Sequence, residues 1–126
     1  MTGILIDTNL LIAFHTRRLD EKTKAELEKE STRISIISWF EFEKWMLKHE
    51  KGAQRAFVRQ RLENTFETVS LDVNTCRKAA ELSHTYGLST ADALIYATAQ
   101  VNGWTLATSD SDLKGKPGVL YAKPMP

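Results

Sequence analysis

Four acidic residues stand at comparable points of a repeating pattern. Asp7 directly follows the apolar run Gly3-Ile4-Leu5-Ile6, and Asp110 follows Trp104-Thr105-Leu106-Ala107 by a Thr-Ser step. Glu41 and Asp92 each stand three residues after a serine, Ser38 and Ser89, where a helical pattern opens. If the apolar runs are strands of one parallel sheet, strand ends and helix starts share an edge, and the four carboxylates converge there. Such a cluster repels itself, and helix N-termini offset only about 0.3–1 kcal/mol per charge. A hard divalent cation offsets far more, and all-oxygen ligation with room for waters suits Mg²⁺ or Mn²⁺ better than zinc. A cation held this way activates water and neutralises charge developing on a phosphodiester, which is a nuclease-like chemistry. Each acid alone has a plainer reading: a helix cap at Asp7, Glu41 and Asp92, a turn residue at Asp110. The plainer reading does not account for all four falling at one edge.

The elements that must carry these acids follow from the same punctuation. Strands are expected at Gly3–Ile6, Arg33–Ile37, within Phe66–Leu71, at Trp104–Ala107 and at Val119–Tyr121. Helices are expected from Leu10, over the polar stretch 20–30, and from a Ser38/Glu41 capping box to about Glu50. Gly52 marks a break or kink before a further helix over Ala53–Leu62. Asp72 opens a helix that Gly87 stops, and Ser89 with Asp92 opens one that Gly103 stops. Strands alternating with helices argue for an α/β fold, a three-layer α/β/α sandwich around a central, mostly parallel sheet of about five strands. The Lys123-Pro-Met-Pro tail reads as loose.

Composition bounds the function. The 126 residues amount to a single domain, 1–126, with 42% hydrophobic and 26% charged residues, which excludes a disordered or low-complexity chain. Seventeen basic against sixteen acidic residues leave a net charge of +1, so contact with nucleic acid must rest on a local patch. One cysteine, Cys76, excludes an internal disulfide and a cysteine zinc site; it is expected as a small core residue. His15, His49 and His84 have no ligand spacing, and there is no glycine-rich phosphate loop. No run approaches the roughly 20 apolar residues of a membrane helix, and the start lacks a signal-peptide pattern, so a cytoplasmic protein is expected.

In order and spacing, these segments resemble the PIN-domain ribonucleases, specifically the VapC-type toxins of bacterial and archaeal type II toxin–antitoxin pairs. Ile4-Leu5-Ile6-Asp7-Thr8-Asn9 resembles the family's opening strand and first acid, and Ser38-Trp39-Phe40-Glu41 its second-acid motif. Leu88-Ser89-Thr90-Ala91-Asp92-Ala93-Leu94-Ile95-Tyr96-Ala97 resembles the third and is the most specific; Leu106-Ala107-Thr108-Ser109-Asp110-Ser111-Asp112-Leu113 resembles the fourth. The resemblance implies an Mg²⁺- or Mn²⁺-dependent endoribonuclease with Asp7, Glu41, Asp92 and Asp110 around the metal. It implies attack by water that leaves 5′-phosphate and 3′-hydroxyl ends. It puts Asn9 and Thr108 in supporting places and lets Asp112 assist or replace Asp110. It further implies a cognate antitoxin and a homodimer as partners. Leu113 departs from the pattern, which has an aromatic there.

Two further features bear on RNA and on partners. Lys44, Lys48, Lys51, Arg55 and Arg59 are spaced four, three, four and four apart, and would align as an RNA-binding stripe if one helix ran through Gly52. Trp39, Phe40, Phe42 and Trp45 are too many aromatics for one helix to bury, so some should be core and others exposed or covered by a partner. A receiver-type signalling domain is a poor rival, because Thr8 and Asn9, not acids, follow Asp7. The rival from another class is a catalytically silent fold of the same kind, kept for protein binding.

Overall fold

The apolar run Ile4-Leu5-Ile6 forms strand β1 (Ile4–Ile6), and all three residues are buried. In the computed structural model, which describes residues 3–29 and 31–126, four more strands follow: β2 (Thr32–Ser35), β3 (Glu67–Val69), β4 (Thr105–Thr108) and β5 (Val119–Tyr121). They make one sheet in the order β3-β2-β1-β4-β5, with every pairing parallel. Parallel pairing requires crossovers, and the helices supply them. They are α1 (Thr8–His15), α2 (Glu21–Lys29), α3 (Ile36–His49), α4 (Gly52–Thr65), α5 (Val73–Tyr86) and α6 (Thr90–Asn102).

Alternation along β1 sorts the layers. Ile4 and Ile6 face a core shared with Leu10 and Leu11 of α1, Leu27 of α2, Phe42 and Met46 of α3 and Val58 and Leu62 of α4. Leu5 faces the opposite core, with Ala79 and Leu82 of α5 and Ala93, Ile95 and Tyr96 of α6. A side-chain period of two across a central strand covered on both faces gives three layers. The expected α/β/α sandwich is therefore observed. The strand order reverses between β1 and β4, and the crevice at their carboxyl ends is the topological switch point.

Local capping fixes most element ends. Asp72 caps α5 by accepting from the Thr75 N–H at 2.8 Å, and Ser89 caps α6 by accepting from Asp92 N–H at 3.3 Å. Gly87 and Gly103 close those helices at φ +67° and +69°, a region costly to a residue with a Cβ. The polar stretch 20–30 is helical over Glu21–Lys29, capped by Asp20; Glu30 lies outside the described residues.

Five expectations are corrected. The second strand ends at Ser35, not Ile37: Ser35 Oγ accepts from Ile37 N–H and starts α3 three residues early. Ser38 and Glu41 are therefore not a capping box but lie in the first and second turns of α3. The chain then leaves the helical path at Glu50 and Lys51, both extended, so α3 and α4 are separate helices with no continuous basic face. Cys76 is exposed on α5 instead of buried. The tail is not loose, since Met125 N–H donates to the Arg18 carbonyl at 2.7 Å. Among the described residues, no helix is long and apolar enough to cross a membrane.

Candidate active site

The hinge of the site is the step from β1 to α1. Asp7 ends the strand and caps the helix: Oδ1 accepts from Thr8 N–H at 2.7 Å, and Oδ2 accepts from the Thr108 hydroxyl at the end of β4, at 2.6 Å. Thr108 Oγ1 in turn accepts from Asp110 N–H at 3.0 Å, and Asp110 Oδ1 accepts from Asp112 N–H at 2.9 Å. The β4 carboxyl end is thus tied to the β1 carboxyl end through side chains. Leu113, where the family pattern has an aromatic, is buried in the α6-side core and anchors the same turn.

Glu41 reaches the crevice from the second turn of α3, and its Oε1 accepts from the Thr8 hydroxyl at 2.5 Å. Asp92 reaches it from the first turn of α6. Asp7, Glu41, Asp92 and Asp110 line one cleft of about 310 Å³, with Thr8, Asn9, Ile12, Lys44 and Trp45. All four acids proposed from the sequence are brought together. Asn9 lies on the rim, and Thr108 sits behind Asp7. Asp112 is exposed and joins the turn through its backbone only.

The electrostatics match a site that concentrates negative charge. Asp7 is 6% exposed, and burial pushes its carboxyl up to about 6, with the nearby charges of Asp92 and Glu41 adding to the rise; bonds from Thr108 and Thr8 oppose it. Asp92 is raised as well, first by burial and then by Asp110 and Glu41, against the bond to Ser89. Two raised carboxylates facing two more is the arrangement that a cation relieves. The donors are all oxygens, the set preferred by a hard divalent ion. Among the described residues, no three acidic, histidine or cysteine side chains are so placed that they could hold a metal ion without moving.

The basic residues separate into groups. Lys44 lines the cleft, its Nζ 5.6 Å from the centre of the exposed Phe40 ring. Lys48 and Lys51 are exposed, Lys51 at the start of α4. Arg55 Nε donates to the Glu50 carbonyl at 3.2 Å. Arg59 is taken up by a bidentate pair with Glu43, at 2.6 and 2.7 Å, which lowers the Glu43 carboxyl. Of the four aromatics, Phe42 is fully buried and Phe40 is 63% exposed; Trp39 and Trp45 are half-buried. Sequence reasoning did not single out Thr8 as a site residue and gave Ser38 a capping role only; the polar run after β1 and the Ser38–Glu41 spacing were the signals available.

A crossed-over parallel sheet with four carboxylates at its switch point, in this order along the chain, defines a class: the chain belongs to the PIN domain family, which it matches over residues 4–118. It is similar to Ribonuclease VapC22 of Mycobacterium tuberculosis, with 29% identity over 120 residues, 90% of this chain and 92% of that protein. It is also similar to a toxin–antitoxin complex from Klebsiella pneumoniae, with 30% identity, a TM-score of 0.79 and coverage of 94% of this chain and 96% of that one. VapBC2 from Rickettsia felis, bound to a DNA fragment from its promoter, has a TM-score of 0.79 at 19% identity over 97% and 98% of the two chains. At that identity the likeness speaks for the fold alone.

Proposed function

We propose that this chain is an Mg²⁺- or Mn²⁺-dependent endoribonuclease, the toxin of a toxin–antitoxin pair, restrained by a cognate antitoxin. The observation that carries the reading is the convergence of Asp7, Glu41, Asp92 and Asp110 on one cleft. A named ribonuclease among its relatives and a toxin–antitoxin complex among its structural neighbours support the same activity and partner.

The residues divide the work by position. Asp7, Glu41, Asp92 and Asp110 would hold the divalent cation, which supplies a Lewis acid for water activation and positive charge for the phosphate. Asp7 stays at the cleft floor because Thr8 N–H and Thr108 Oγ–H clamp both of its oxygens. Lys44, the cation on the cleft wall, would meet the RNA backbone there. Lys48 and Lys51 extend that contact, with Arg55 and Arg59 in secondary places. Asn9 is a rim donor, and Asp112 holds the β4 turn. The outer face of α3 carries exposed Ile36, Phe40 and Leu47, spaced four and seven apart on one side, and suits a second copy of the chain.

The test is cleavage of a mixed RNA pool with and without Mg²⁺ or Mn²⁺, with the product ends mapped. Cleavage that requires metal and leaves 5′-phosphates is expected. A folded protein that neither cleaves RNA nor binds metal would transfer the chain to the protein-binding rival.

A further inference from the structure

Ser38 and Glu41 have the spacing of a capping box but do not cap, and the use they have instead involves a third residue. Thr8 Oγ1 lies 2.5 Å from Glu41 Oε1 and 3.1 Å from Ser38 Oγ. Ser38 is fully buried and Thr8 is 8% exposed, so neither hydroxyl is free to turn toward bulk water. Thr8 has one hydroxyl proton, and an ionised carboxylate can only accept. The proton of Thr8 therefore goes to Glu41, and that of Ser38 goes to Thr8. The result is a one-way chain of donors, Ser38 to Thr8 to Glu41, ending on a charged acceptor, where hydrogen bonds are strongest. Glu41 Oε2 makes no hydrogen bond with any described residue.

Resting on the metal-site reading above, we propose that Thr8, backed by Ser38, is the positioning residue of Glu41. It fixes the carboxylate across the 33 residues that separate them and commits Oε1, so that Glu41 presents a single oxygen, Oε2, to a cation in the cleft. Thr8 does this from the first residue of α1, while its own backbone N–H holds Asp7. One residue thus sets two acids, Asp7 at the end of β1 and Glu41 on α3. Removing a partner that orients a metal-ligating carboxylate weakens binding by about 10–100-fold.

Mn²⁺ titration of the whole folded protein, without RNA, tests this. Thr8→Val keeps the side-chain shape and the backbone N–H; it is expected to weaken Mn²⁺ binding about 10-fold, and Thr8→Ser to restore it. Glu41→Gln is expected to weaken binding at least as much. The double variant Thr8→Val/Glu41→Gln should then be no weaker than Glu41→Gln alone, because Thr8 acts through Glu41. Ser38→Ala, which removes only the outer donor, should show a smaller loss of about 2–3-fold and serves as the probe if Thr8→Val fails to fold. If Glu41→Gln binds Mn²⁺ as wild type does, the metal-site reading fails and the positioning inference fails with it. If Glu41→Gln weakens binding while Thr8→Val and Ser38→Ala do not, or if the two losses multiply in the double variant, the positioning role alone is overturned.

Discussion

Asp7 carries its charge at 6% exposure, clamped by two hydrogen bonds and faced by two further carboxylates. Burial outweighs the hydrogen bonds, so the folded state binds the Asp7 proton more tightly than the unfolded chain does. The stabilisation from that proton is fully present below about pH 4 and is lost as pH rises through about 6. Asp7→Asn should therefore leave the metal-free protein more stable than wild type above pH 6, by up to about 3 kcal/mol for a two-unit shift. That difference should shrink toward pH 4, as denaturant unfolding across pH 4–8 would show. Equal stabilities at pH 7.5 would mean that the carboxylate is not strained by its surroundings. The placement of Asp7 at a strand end was legible because an apolar run stopped at it. The Thr8–Glu41 and Thr108–Asp7 bonds were not, since they join residues 33 and 101 positions apart.

At the scale of elements, local chemistry was the readable part. The boundaries of α5 and α6 follow from Asp72, Gly87, Ser89 and Gly103, each acting on its own helix end. Gly103→Ala meets no neighbouring atom and strains only the left-handed backbone, so it should cost about 1 kcal/mol in thermal or denaturant unfolding. The start of α3 was misread because Ile36 and Ile37 are β-branched and continue an apolar strand pattern, while the Ser35 cap and the packing of Phe42 and Met46 decide for helix. The basic residues fall on two helices for a different reason. Their spacing was helical, but the chain turns at Glu50–Lys51, and Arg59 finds Glu43 on the neighbouring helix. Lys44→Gln should therefore weaken RNA binding and flatten its salt dependence by about one phosphate contact. Arg59→Gln should change the salt slope little and leave stability nearly unaltered, since the pair is more than a third exposed. A larger slope change for Arg59 than for Lys44 would reverse that order.

For the whole molecule, a net charge of +1 leaves affinity to surface detail, and one apolar detail is the outer face of α3. Leu47→Glu, 63% exposed and away from the cleft, should shift a sedimenting dimer to monomer without lowering the melting temperature. A monomer in the wild type at micromolar concentration would remove that use of the face. The fold class was legible in full, because alternating strands and helices admit few topologies. The convergence of the acids was legible only through that topology: residues 7, 41, 92 and 110 meet because β1 and β4 are neighbours at the point where strand order reverses.

The central claim is that these acids act as one metal-holding unit in RNA cleavage. The most direct measurement is the Mg²⁺-dependent cleavage rate of Asp7→Asn, Asp92→Asn and the double variant against wild type, with each protein shown to be folded. Residues that act as a unit are strongly non-additive. Each single variant should lose about 10³-fold or more, and the double variant should be no slower than the worse single. Losses that multiply, or full activity in either single variant, would contradict the account.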